Sequence, residues 1–298
     1  MSGQHNTGAT YAISLSGSTS ITAGTGVTLE SLNDNTGTIA LLSSGGIDGG
    51  SGTVLMRAAN YAFGGADRTI TTTGVLTIEP DADENSFASS FDNQYLNPVS
   101  VTGLTLGKSS NASAITLSRA ISLSGPVSIY GGSIDVNANI TANSGNILLD
   151  ADTGSTLNQS STGILLDDVI TIETVTSGNL TLIGRSGDTG SGFDGIDASS
   201  ANTTTLRSAG NLTLQGYSYA ASGSGRGVDL NNDVIAASGT VSMTGQHNTG
   251  ATYALSLSGS TSITAGTGVT LESLNNNTGT IALLSSGGIN GGSGTVLM

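Results

Sequence analysis

Asp81, Asp83, Asn85 and Asp92 stand at positions 1, 3, 5 and 12 of a calcium-loop pattern, a spacing that offers a cation several hard oxygen ligands. The match is partial, because Ser86 takes the place of the turn glycine and the last position is Asp where a bidentate Glu belongs. The enclosing stretch, residues 57–99, is the compositional outlier of the chain. It holds five of the eleven aromatic residues (Tyr61, Phe63, Phe87, Phe91 and Tyr95) and two of the three prolines. Aromatic faces beside carboxylates are the groups that bind a glycan, by ring stacking and hydrogen bonding, and Tyr61, Phe87, Phe91 and Tyr95 are the candidates. The same composition also suits an insertion that packs its rings over the side of the protein.

Other acidic groups invite the same scrutiny. The run GDTGSGFDGID offers Asp188, Asp194 and Asp197, but it lacks the nonapeptide spacing of calcium-binding rolls and reads as solvated turns. Asp150, Asp152, Asp167 and Asp168 would form an acid/base pair if neighbouring turns of the chain brought them together. No basic cluster accompanies them, and no catalytic activity is expected. Threonine runs at 71–73 and 203–205 raise an ice-binding face, yet no Thr-x-Thr recurs regularly enough to make one.

These residues must be carried by short strands. A signature recurs along the chain: small residue, Gly, any residue, apolar, any residue, apolar. It appears as SGTVLM at Gly52, TGVLTI at Gly74, SGPVSI at Gly125, SGNILL at Gly145, SGNLTL at Gly178, AGNLTL at Gly210 and SGTVSM at Gly239. TGTIAL at Gly37 fits too, and contracted forms begin at Gly26 and Gly103. The period of two puts both apolar residues on one face of a strand, and the glycine makes a corner. Spacings between successive signatures run irregularly from 15 to 40 residues, which fits the coils of a parallel β-helix with corner insertions, at roughly 22 residues each. The residues expected inside are Ile39, Leu41, Val54, Met56, Leu76, Ile78, Val127, Ile129, Ile147, Leu149, Leu180, Leu182, Leu212, Leu214, Val241 and Met243.

A longer repeat encloses the short one. Residues 1–56 recur as 243–298, with four differences: Ser2/Thr244, Ile13/Leu255, Asp34/Asn276 and Asp48/Asn290. His5 and His247 are therefore one residue met twice, so no histidine pair exists within a period. The expected organisation is one full period at 1–242, with a loop-rich insertion at about 57–99, and the start of the next at 243–298. The chain reads as a slice of a longer tandem array. The two Asp-to-Asn differences argue that Asp34 and Asp48 sit in exposed turns.

Composition narrows the function. The net charge is −14 and only 9% of residues are charged, with the seven basic ones scattered singly. Such a surface repels a phosphate backbone, so nucleic acid is not an expected partner. No apolar run is long enough to span a bilayer, and no cysteine is available for disulfides.

The runs VTGLTLGKSSNASAITLSRAISLSGPVSIYGGSIDVNANITANSGNILL (101–149) and SAGNLTLQG (208–216) resemble the shaft of filamentous haemagglutinin-like exoproteins, very large bacterial surface or secreted proteins. The resemblance implies a right-handed parallel β-helix, an extracellular or cell-surface location, and a role in adhesion, cell-cell contact or as a stalk. It carries over no functional residue. Expected partners are the chain's own kind, by covalent continuation or by end-to-end stacking into a filament, together with cell-surface glycans or another cell. Calcium is the one candidate ligand ion, and no other cofactor is expected.

Overall fold

The computed structural model describes residues 1–3, 11–32, 36–42, 46–65, 67–81, 85–151, 161–199, 203–248, 250–274 and 279–298. Each coil lays down up to three short strands, and every strand pairs in parallel with the strand one coil away. The first face is a single parallel sheet of twelve strands from Ser2–Gly3 to Val296–Leu297. The second face is divided into sheets of three and eight strands, and the third into sheets of four and seven. No helix occurs among the described residues. The protein is a parallel β-helix.

The alternation seen in the sequence builds this core. Val127 pairs with Ile147 and Ile147 with Leu180, so one inward column runs up the first face, with Ile129, Leu149 and Leu182 forming a second beside it. Every residue expected inside, from Ile39 to Met243, is buried. Ile39 and Leu41 lie in a different column from the rest, because Thr38–Leu41 belongs to the second face. The signature at Gly37 is thus a step from face to face within a coil, and the shorter GVTL at Gly26 opens that coil on the first face, where Val27 pairs with Val54.

The corner glycines have a steric cause. Gly178 takes φ +113, and a Cβ there would meet the Gly145 carbonyl oxygen at 2.0 Å. L-residues do not tolerate that backbone conformation. The next residue then closes the corner. Asn146 Oδ1 accepts the Asn179 N–H, Asn179 Oδ1 accepts the Asn211 N–H, and Asn211 Oδ1 accepts the Thr240 N–H, all at 2.9 Å. These stacked amides explain why SGN recurs and why each corner registers on the one below it.

The long repeat is also a repeat in space. Ser2 pairs with Glu30 as Thr244 pairs with Glu272, Ile13 with Ile39 as Leu255 with Ile281, and Ile21 with Ile47 as Ile263 with Ile289. Nine coils separate Ser2–Gly3 from Thr240–Gln246, about 27 residues each, fewer and longer than the eleven expected at 22. Coil length on the first face runs from 20 residues (Val127 to Ile147) to 33 (Ile147 to Leu180), and the extra residues go into corner excursions. Of the four differences, Asp48 and Asn290 are both exposed, and each accepts an N–H two residues on, from Gly50 and Gly292, at 2.9 Å. Asp and Asn serve that turn equally well. Asp34 lies outside the described residues.

Candidate functional site

Most of the 57–99 stretch is built into the coils. Asn60–Phe63, Arg68–Thr71 and Val75–Glu79 are ordinary strands of the second, third and first faces, and only about 80–90 leaves the pattern. The described part of that excursion is tied to both flanks: the Ala88 N–H donates to the Ala59 carbonyl at 2.8 Å, and the Ser113 hydroxyl donates to the Phe87 carbonyl at 2.5 Å.

Its rings gather with those of the preceding strand. Tyr61, Phe63, Phe87 and Phe91 form one cluster with centroid separations of 5.5 to 6.3 Å. Phe87 and Phe91 are buried, each 4% exposed, and the Tyr61 hydroxyl lies 2.8 and 2.9 Å from the Met56 and Glu79 carbonyls. Burial raises the Tyr61 pKa well above the usual phenol value. The pocket over these rings measures about 40 Å³, room for a few waters, whereas small-molecule sites run to several hundred. Tyr95, half-buried on the turn before Leu96–Val99, is not part of the cluster.

The calcium-loop residues divide in the same way. Asp81 is buried, and its Oδ2 has no hydrogen-bond partner among the described residues, while Asn85 is exposed. Asp92, on the strand Phe91–Asp92, accepts the Gln94 N–H at 2.9 Å and the Ser118 hydroxyl at 3.1 Å. Asp83 lies outside the described residues.

The carboxylates weighed as an acid/base pair are not brought together. Asp150 is on the first face and takes an ion pair from Arg185 at 3.2 Å, while Asp167 and Asp168 follow the strand Ile164–Leu166 on the second. Burial raises the Asp150 pKa, and Arg185 opposes it. Asp152 and His5 lie outside the described residues.

A different acidic group does converge. Asp194, Asp197 and Asp229 each place a carboxylate oxygen within 4.8 Å of the other two. Asp197 and Asp229 occupy the same position on adjacent strands of the second face, Ile196–Ala198 and Val228–Asn231, and Asp194 reaches them from the corner excursion just before. Asp194 and Asp229 are 8% and 3% exposed, so Asp194 is buried although Thr189, Ser191 and Gly192 of the same run are exposed. The excursions of successive coils cover them: the Ser218 hydroxyl donates to the Phe193 carbonyl at 2.7 Å, and the Asn248 amide donates to the Ala220 carbonyl at 2.9 Å. Arg226 is the cation nearest this group, its guanidinium bonded to Asp229 Oδ2 and its backbone N–H to Asp194 Oδ1. Burial pushes the Asp194 carboxyl up to about 7, and it raises that of Asp229 against the pull of Arg226. Such a set can hold a proton between two carboxylates or a cation among three.

Asp229 was the member that the sequence hid. Its signal is positional: Ile196-Asp197-Ala198 and Val228-Asp229-Leu230 repeat an apolar-Asp-apolar pattern 32 residues apart, the length of the coil from Leu180 to Leu212. No family model, curated protein or solved structure matches the chain.

Proposed function

We propose that the chain is a rod segment of a giant, filamentous haemagglutinin-like bacterial exoprotein that works outside the cell in adhesion or cell-cell contact. The observation that carries this reading is the strand register, which repeats after 242 residues on all three faces. Tandem copying can therefore set the length of such a body without redesigning it. Stacked strands supply stiffness, and the apolar columns supply stability without disulfides.

A filament of stacked subunits is the second reading, because the strand edges of a parallel β-helix accept a further coil whether it continues the same chain or comes from a second copy. The adhesive role is tested by coating beads with the protein and counting their attachment to epithelial and bacterial cells against beads coated with an unrelated β-helix. Equal attachment of both would overturn it. Sedimentation over a hundredfold concentration range separates the two readings, because stacked subunits associate as concentration rises and a covalent rod does not need to.

A further inference from the structure

We propose that Asp194, Asp197 and Asp229 form a binding site for one divalent oxygen-seeking cation, with calcium the best fit. This inference concerns a different part of the chain from the calcium-loop pattern around Asp81.

The geometry comes first. Calcium takes carboxylate oxygens at about 2.3–2.6 Å, so two of its ligands lie at most about 5 Å apart. The three carboxylates meet that limit, since their oxygens lie within 4.8 Å of one another. The partners are rigid where rigidity matters. Asp197 and Asp229 are fixed by the strand register, and Asp194 is held by the Arg226 N–H.

A second observation points to a missing partner. Asp229 is 3% exposed, its Oδ2 carries Arg226, and its Oδ1 is sealed from solvent with no donor in hydrogen-bond geometry among the described residues. The Ser256 hydroxyl on the next strand favours the ionised Asp229 carboxylate, but it does not meet Oδ1 in that geometry. A buried carboxylate oxygen left bare is costly, and native structures resolve such oxygens with a proton, a water or a metal ion. In the same excursion Asp188 Oδ1 is likewise buried and unbonded.

Charge selects among these. Three carboxylates face one guanidinium, and Asp233, fully buried on the corner after Asp229, adds to the negative field felt there. A divalent cation balances what Arg226 leaves. Mostly carboxylate ligands exclude a soft metal, and no Cys exists in the chain.

The test uses the whole chain at pH 7.5 after chelator treatment, titrated with calcium chloride by calorimetry and with terbium by luminescence. The expected result is one equivalent per chain, because residues 194–229 occur once, and a melting temperature that rises with calcium. Asp197→Asn, at a half-buried strand position that leaves Arg226 its partner, should weaken binding at least tenfold. Asp229→Asn should abolish it, and Asp83→Asn should leave it unchanged. Absence of saturable binding up to about 10 mM, the weak end of protein calcium sites, would overturn the proposal. Binding that survives Asp197→Asn, or that disappears in Asp83→Asn alone, would overturn it equally. These outcomes are independent of whether the chain adheres to cells.

Discussion

Burial without full pairing leaves two carboxyls with pKa values near neutrality, which ties the stability of the fold to pH. Asp194 and Asp233 are both pushed up to about 7, chiefly by burial, from an ordinary value of 3.8. Asp194 is relieved by the Arg226 N–H and guanidinium and opposed by Asp197 and Asp229. Asp233 is relieved by the Thr204 and Asn231 N–H groups and opposed by the same two carboxylates. A raised folded-state pKa means that the native protein holds a proton that the unfolded chain has already lost. That contribution is complete below about pH 4 and disappears as pH rises through about 7. In chelator, the urea midpoint of unfolding should therefore be higher at about pH 5 than at about pH 8. Asp194→Asn, which keeps an acceptor for the Arg226 N–H and cannot ionise, should flatten that difference. An unchanged slope in the variant would place the pH dependence elsewhere. Arg57 and Arg119 act differently: Arg57 pairs with Glu79 at 2.5 Å, and Arg119 pairs with Asp67, whose carboxyl is held below its usual range. Each of these two ion pairs links different coils at the surface.

Around the excursion at 80–90 the second face changes sheet, and the third face does so one coil later, while the first continues through both. The second face breaks between Asn60–Phe63 and Phe91–Asp92, and the third between Leu96–Val99 and Ile121–Leu123, yet Val75–Glu79 pairs on both sides without interruption. Four rings fill the gap that the break would otherwise leave. Phe91→Ala should accordingly cost about 3 kcal/mol, because it empties the centre of that cluster. Tyr95→Ala, outside the cluster, should cost under about 0.5 kcal/mol. Chemical denaturation of both variants distinguishes this packing role from a purely exposed recognition loop, for which the two losses would be alike and small. The strands and their inward residues were legible because Gly-x-apolar-x-apolar states both the corner and the period. The ring cluster was legible only as an insertion packing its rings over the side; which rings meet was not, since Tyr61 and Phe63 sit on a strand and Phe87 on an excursion, and no local period joins them. The meeting of Asp229 with Asp194 and Asp197 was hidden for a related reason. Their proximity depends on coil length, which varies from 20 to 33 residues and becomes readable only when the first-face glycines are aligned. The Gly37 signature misleads that alignment, because the same five-residue motif also serves the second face.

At the scale of the whole molecule, each coil touches only its neighbours, so stability and length should grow with coil number. The repeat makes this concrete. The surface on which the coil beginning at Arg57 rests is formed by Thr38–Leu41, Ile47–Asp48 and Val54–Arg57, and the same strands recur as Thr280–Leu283, Ile289–Asn290 and Val296–Leu297. A chain extended after Met298 by the sequence of residues 57–298 should therefore continue the same helix with no new junction to invent. Nine more coils at the interstrand spacing would add about 43 Å to the rod. Electron microscopy or small-angle scattering of the two chains measures that increment directly, and a single unbranched rod longer by one period is the expected outcome. Two bodies joined by a hinge would contradict it, because they would mean that the surface around Ile281 and Val296 does not accept the coil that its duplicate around Ile39 and Val54 accepts. That comparison is decisive because the two surfaces differ in sequence at so few positions that only their place in the stack distinguishes them.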